Sequence, residues 1–585
     1  MNPLMRRAWL FFIQGTLFAF LLFGVNCAGG RRELPEEAFL RRYTNALQPL
    51  ERELGIRRWQ AAHSDSRAVH DRLTKAEKKI AEFYADTKSF NQLRIFREKK
   101  LANPTIRRQL EILYDLYLPY QAPGPLRDKI VSIERELNEE YRQLRVIVQG
   151  TKLSLDEAHG RFLGASQPEE RNAYWEALLK SLRPFEKRFR QLISLRNQLA
   201  RNLHFQDYFD MILSINGVNR QEFLALLDDL EYRLSGPFAK LRSDLSKKIA
   251  QVYQISDKQI QPWHYPDPFS LSKSLSLDFD VDLLYQNQDP IRIALDFFKA
   301  LDIDLAAVIQ RSDLNKKKAK ESEAYKILVD REYDYSLLLK PAVRRWEGRQ
   351  DYDVRIVMNV APNADSMSIL LHEMGHAAYL EHIDKKLPYV LRQEANIAMS
   401  EGVAIFFGSL IYDPRWLESF LGAPSDYLQA HQVDFRREQI FEQLASLLQQ
   451  VCHLRFEQAL YENPAQDLNA LWRKLVERFQ GIKVPREWDN PDFLYYFDFV
   501  QWPVYRQNFI YAFLLSSHIR HYLETCFALN GISPGRFDWP AVGRFFKEKL
   551  FSLGATYPWS ELLEKATGEK LNPAHFFSRF TDIQD

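Results

Sequence analysis

Two histidines and a glutamate stand together at His372-Glu373-Met374-Gly375-His376, inside the apolar stretch Met367–Leu380. On a helix, residues four apart share one face, so the two imidazoles can reach the same Zn2+. Glu373 beside them has the chemistry of a general base, taking a proton from a water whose pKa the metal lowers as that water attacks a peptide carbonyl. A zinc ion used in hydrolysis keeps one coordination position open, so a third protein ligand has to come from elsewhere. Glu394 and Glu401 compete for that role. Both fall in Pro388–Phe407, which reads as a second helix started by Pro388. Being seven residues apart, they would lie on nearly one side of it but roughly 10 Å apart along the axis, so only one can reach the metal. Helical period alone leaves the choice open.

The elements that must hold these residues are mostly helices. Trp175, Leu178, Leu179, Leu182, Phe185, Phe189, Leu192 and Ile193 recur at three- and four-residue steps with charged residues between them. Pro184 inside the run predicts a kink or boundary near Arg183. Similar patterns occupy Glu36–Leu54, Leu73–Tyr84, Pro125–Gln149, Arg220–Tyr253, Phe435–Tyr461 and Asn508–Leu529. The clearest strand is Asp353–Val360, alternating and β-branched, closed by Ala361-Pro362-Asn363 just upstream of the histidine motif. Asp365 or Ser366 can cap the motif helix. Linker candidates are 261–276, rich in Pro and Ser, and 311–322, which carries three consecutive lysines.

The stretch HEMGH at His372–His376, followed by Leu387-Pro388, Arg392-Gln393-Glu394-Ala395-Asn396 and Ser400-Glu401, resembles the angiotensin-converting-enzyme family of gluzincins. Thimet-type oligopeptidases are related to it. That resemblance implies Glu401 as the third zinc ligand and Glu394 as a nearby or solvated acid. It implies that Asp353–Ile356 is an extended strand bonding the substrate backbone. It further implies a large, mostly α-helical fold with two helical subdomains around a deep cleft and a small β-sheet next to the HExxH helix. Weaker likeness over Glu36–Trp59 and Leu195–Met211 extends it across most of the chain.

The sequence also departs from that pattern. The family uses two histidines and a tyrosine to hold the substrate carbonyl and its oxyanion. The upstream histidine position falls on Ala342, and Tyr495–Pro503 contains no histidine. Tyr505, in Trp502-Pro503-Val504-Tyr505-Arg506, is the first choice for the phenol that stabilises the oxyanion. Tyr511 is the second, with a core tyrosine as its plain alternative. His518 and His521 have helical spacing on a charged face and read as surface residues.

With 79 basic against 77 acidic residues, a net charge of +2 over 585 residues gives no basic field for nucleic acid. At 46% hydrophobic and 27% charged, the composition excludes disordered, collagen-like and disulfide-scaffold classes. Residues 1–27 have a secretory layout, with Arg6 and Arg7 before an apolar run. The run ends at Cys27 in a lipobox-like setting, so Cys27 is expected to carry a lipid as a bacterial lipoprotein does, with 28–34 as a tether. A signal anchor and ordinary secretion are the alternatives, and all three export the chain. Cys452 and Cys526 read as buried thiols.

Residues 35–585 are thus expected to form a helical zinc metallopeptidase acting on short peptides. Its zinc would be held by His372, His376 and Glu401, with Glu373 and Tyr505 catalytic. The cut could be that of a peptidyl-dipeptidase, an oligoendopeptidase or a carboxypeptidase. A different class, suggested by the missing histidines, is a membrane-tethered binding protein that keeps zinc without turnover.

Overall fold

The computed structural model describes residues 33–64, 66–271, 281–314, 345–348, 351–485, 487–529 and 537–583. The expected signal segment 1–27 with Cys27, most of the expected tether 28–34, Ala342 and most of 311–322 lie outside the described residues, as do 272–276 of the other linker candidate. The chain divides into two compact units, residues 1–46 and 47–585. The described part of the first holds the opening turns of helix α1 (Pro35–Ala62), preceded by Glu33, whose carboxylate pairs with Arg41 at 2.8 Å.

The second unit is helical, as the periodicity requires, with two small antiparallel sheets among the described residues. β1 (Val146–Val148) pairs with β2 (Thr151–Leu153), and β3 (Arg345–Gly348) pairs with β4 (Asp351–Val354). The Trp175–Ile193 pattern is a helix pair. Pro168–Lys180 is followed by a 3-10 turn at Arg183–Phe185, and Pro184 stands there before α2 (Glu186–Asn202), where its missing N–H costs nothing. α3 (Arg220–Tyr253) is capped by Asn219, whose Oδ1 accepts from the amides of Gln221 and Glu222.

Two expected boundaries were misplaced. The helix expected over Pro125–Gln149 stops at Gln143, because Val146–Val148 turns at Gln149 and Gly150, both at positive φ, into a hairpin. The strand expected over Asp353–Val360 is β4 for only its first two residues. Beyond it the chain stays extended and bonds instead to Asp313 and Leu314, with Met358 N–H donating to Asp313 O at 3.0 Å and Val360 N–H to Leu314 O at 3.2 Å. The alternation was real, since Val354, Ile356 and Met358 all face the core.

The core around the motif is built by four helices: α4 (Ala364–His382), α5 (Ile397–Gly408), α6 (Gln432–Glu462) and α7 (Gln507–Leu529). Two glycines set how closely three of them approach. A Cβ on Gly375 would sit 2.9 Å from Phe407 Cδ2, and one on Gly402 would sit 2.8 Å from Leu515 Cβ. Gly375 therefore lets α4 lie against α5, and Gly402 lets α5 lie against α7. Both are embedded in the chemistry-bearing segments His372–His376 and Ser400–Gly402, so tight packing and site geometry share residues. α7 is also tied past the end of α5, where Arg520 donates to Asp413 Oδ2 at 2.8 Å and to Ser409 Oγ at 3.0 Å.

No described helix is long and apolar enough to cross a membrane. Cys452 is buried and Cys526 only half-buried, and no disulfide joins them.

Candidate metal centre

α4 begins at Ala364, where Asn363 Oδ1 accepts from Ser366 N–H at 2.8 Å. Asn363 is thus the cap, not Asp365 or Ser366. Ser366 instead turns its hydroxyl back to accept from Ala361 N–H at 2.8 Å, closing the turn that leads into the helix. The motif then lies in mid-helix, with Glu373 and His376 buried and His372 half-exposed. The two Nε2 atoms are 3.2 Å apart.

The second element is shorter than the periodicity suggests. Pro388 opens only a 3-10 turn, Tyr389–Leu391, and α5 starts at Ile397 after Asn396, whose Oδ1 accepts from Ala398 N–H at 2.6 Å. An asparagine ahead of an apolar run is a strong helix start. The intervening backbone is held by other groups, Leu391 O accepting from Ala555 N–H at 3.0 Å. Glu394 and Glu401 therefore do not share a helix.

Their surroundings separate them. Glu401 Oε2 lies 3.3 Å from His372 Nε2 and 3.7 Å from His376 Nε2. With zinc bonds of 2.0–2.1 Å, tetrahedral ligand atoms stand about 3.3 Å from one another. The three atoms thus span one face of such a tetrahedron. Glu401 is 3% exposed and its Oε2 accepts no hydrogen bond, the condition of an oxygen that lacks its intended partner. Burial alone would raise its carboxyl, but His376 and His372 hold it well below the usual carboxylate range. Two imidazoles and a carboxylate with this spacing fit Zn2+.

Glu394 stands one step back. His376 Nδ1 is 2.7 Å from Ser400 Oγ, which donates to Glu394 Oε1 at 3.3 Å. With Nε2 turned to a metal, His376 carries its proton on Nδ1 and gives it to the serine, an outer contact that fixes tautomer and ring orientation. Sequence reading missed Ser400, whose type gives no signal of its own outside the fold.

Tyr505 reaches the centre, its hydroxyl donating to Glu401 Oε1 at 3.1 Å. Tyr511 does not: its ring packs between Phe223 and Trp559, 5.8 and 5.2 Å away, as a core tyrosine. Tyr505 is placed by an uncommon backbone. Val504, fully buried and β-branched, has φ of 60°, a left-handed conformation such residues avoid. Its N–H donates to Glu457 Oε1 of α6 at 2.6 Å. Just upstream, buried Arg196 of α2 donates to Phe499 O at 2.9 Å and pairs with Glu134 at 2.6 Å. Strain of this kind persists where the surroundings over-determine it. Gln507 also escaped the sequence reading. It is 1% exposed, neither carboxamide atom has a hydrogen-bond partner, and it lines a small cavity with Tyr505, Pro503 and Ile397.

Glu457 makes a pH-dependent contribution. Its burial, opposed by the Val504 N–H, reinforced by Asp498 and opposed again by Arg506 and Arg196, pushes its carboxyl up to about 8. Between the ordinary value of 4.5 and that figure, the unfolded chain has lost the proton while the folded chain keeps it. Stability is then fully retained below that window and falls as pH rises through it. Glu457→Gln keeps an acceptor for Val504 and removes the titration. Its unfolding free energy is expected to depend less steeply on pH between 5 and 8 than that of the wild type, the difference reaching on the order of a few kcal/mol, read by denaturant titration. Identical slopes would show that Glu457 ionises normally.

Two family models match successive parts of the chain. Residues 31–265 match the model described as "Angiotensin-converting enzyme", and residues 305–581 match "Peptidase family M3". A protein from Haematobia irritans exigua named "Angiotensin-converting enzyme" is 26% identical over 282 residues, covering 43% of this chain and 44% of that relative. The chain is thus similar to angiotensin-converting-enzyme-like gluzincins over its first part and to peptidase family M3 over its second, and these matches support a metallopeptidase fold of that kind. The half that carries HEMGH, Glu401 and Tyr505 is the half similar to M3.

Proposed function

We propose that the protein is a zinc-dependent metallopeptidase that hydrolyses short peptides, with peptidyl-dipeptidase action as the cut that its family resemblance favours. The observation that carries the reading is the convergence of His372 Nε2, His376 Nε2 and the unpartnered, buried Glu401 Oε2 within one zinc-sized triangle. Zinc held by these three residues supplies Lewis acidity and lowers the pKa of a water to about 7. Glu373 takes the proton from the attacking water and passes it to the leaving amine. Tyr505 turns its phenol from Glu401 to the substrate oxygen on which negative charge develops. Gln507 offers a donor and an acceptor to the peptide backbone beside Tyr505.

The test is to incubate the mature protein with a mixed peptide set, with and without a zinc chelator, and read the new termini by mass spectrometry. Chelator-sensitive release of C-terminal dipeptides supports the full reading. Internal cuts move it to an oligopeptidase, and no cleavage by folded, zinc-loaded protein overturns it in favour of a binding protein.

Tyr505→Phe is expected to lower kcat about 10^2- to 10^3-fold with KM and zinc content nearly unchanged, as for loss of one oxyanion donor. A rise in KM alone would make Tyr505 a substrate-binding residue instead. Attachment through Cys27 belongs to the same proposal, and a diacylglyceryl mass on the mature amino terminus is its test.

A further inference from the structure

A second group of side chains of metal-ligating types gathers against α7, away from the centre just described. His518 is not the surface residue that its helix pattern suggests: it is 1% exposed, covered by the C-terminal segment that follows the helix Trp559–Thr567. That helix ends at Gly568, whose φ of 81° turns the chain back towards α7. Glu569 and His575 arrive beside His518 as a result.

The contacts among them are few and directional. His575 Nε2 is 2.9 Å from Glu569 Oε2, and Asn572 Nδ2 donates to Glu569 Oε1 at 2.7 Å. His518 Nδ1 accepts only a long 3.3 Å bond from Asn572 N–H, while its Nε2 is 3.2 Å from Thr567 Oγ1. The His521 ring stacks on His575 at 3.9 Å, and His518 meets His575 edge-on at 5.0 Å. One ligand atom each from His518, Glu569 and His575 falls within a 4.8 Å span.

We propose that His518, Glu569 and His575 form a second divalent-metal site, of the zinc class, that staples the C-terminal segment to α7. Two imidazoles and a carboxylate are the donor set of borderline first-row ions, not of calcium or magnesium, which take oxygen ligands. The hydrogen bond between His575 and Glu569 accounts for two members but leaves His518 with weak partners. Zinc requires ligand atoms about 3.3 Å apart. The three ligand atoms, all within 4.8 Å of one another, must therefore draw together, and the exposed Glu569 carboxylate can do so by exchanging its hydrogen bond to His575 for the metal. The role proposed for it is structural, because it joins the segment after Gly568 to α7. Its consequence reaches the first centre through α7, which packs on α5 at Gly402, next to Glu401.

Zinc itself is the probe, with the full mature chain. In the His372→Ala/His376→Ala double variant, equilibrium dialysis with elemental analysis should still find one zinc per chain. Adding His575→Ala should remove it. In the otherwise native chain, His575→Ala should lower the count from two to one without loss of peptide hydrolysis. Glu569→Gln, at an exposed position that cannot endanger folding, should weaken the second zinc tenfold or more and reduce the zinc-induced rise in melting temperature. No zinc bound by the His372→Ala/His376→Ala double variant, or a zinc there that survives both His575→Ala and Glu569→Gln, overturns the proposal. The count is read without reference to turnover, so it stands or falls apart from the peptidase reading.

Discussion

Glu373→Gln is expected to cut kcat by about 10^2- to 10^4-fold, the range that a positioned general base supplies, while zinc stays bound at full stoichiometry. The exchange preserves side-chain volume at a buried position of α4, so the helix and its packing against α5 are unaffected. It leaves His372, His376 and Glu401 themselves in place. What it removes is the ability to hold a proton between attack and departure of the amine, because a carboxamide at neutral pH neither takes one nor gives one back. The loss should fall on kcat with little change in KM, since Glu373 acts in the transition state and not in binding. Retained turnover within a few fold would place the base on another residue. Loss of zinc would make Glu373 a support of the metal centre, and a wild type with no turnover to lose would return the protein to the binding class.

How much of this was legible beforehand depended on whether a feature is local. The HExxH face is set by helical period, so His372, Glu373 and His376 could be read directly, and so could α3, whose helical pattern runs from Arg220 to Tyr253. The choice between Glu394 and Glu401 was not local. It turned on Asn396 starting α5 late, which cancels the shared-helix geometry and drops Glu394 behind Ser400. The β4 region shows the same limit: alternation revealed which residues face inward but not that Asp313 and Leu314 would be the pairing partners. Val504 could not be anticipated at all, because nothing in a valine suggests a positive φ and only the Glu457 carboxylate, 47 residues away, makes it tenable. His518 went wrong for the opposite reason: its own helix face is polar, and the segment that buries it comes from the far end of the chain.

Removing a ligand from the first centre should have the largest effect of any single change. His376→Ala leaves His372 and Glu401, and two protein ligands are one short of the set that holds a hydrolytic zinc. Activity should fall below detection and zinc should be lost on dialysis from that centre. Glu401→Gln removes the charge but keeps an oxygen, so zinc should be held more weakly and not lost at saturating metal. Ser400→Ala leaves all three ligands and takes away only the acceptor 2.7 Å from His376 Nδ1, which should cost about 10- to 100-fold in zinc affinity. The ranking His376→Ala, then Glu401→Gln, then Ser400→Ala is the signature of ligand, charged ligand and outer support. Folding should follow the metal, because anything bound only by the native chain stabilises it, by about 4 kcal/mol when free zinc is near 1,000 times Kd. Chelation should therefore lower the wild-type melting temperature, and the part due to this centre should be absent in His376→Ala, which has no metal there to remove. If His376→Ala instead kept the wild-type zinc affinity, the three atoms gathered at 3.2 to 3.7 Å would be a hydrogen-bonded cluster and not a metal site.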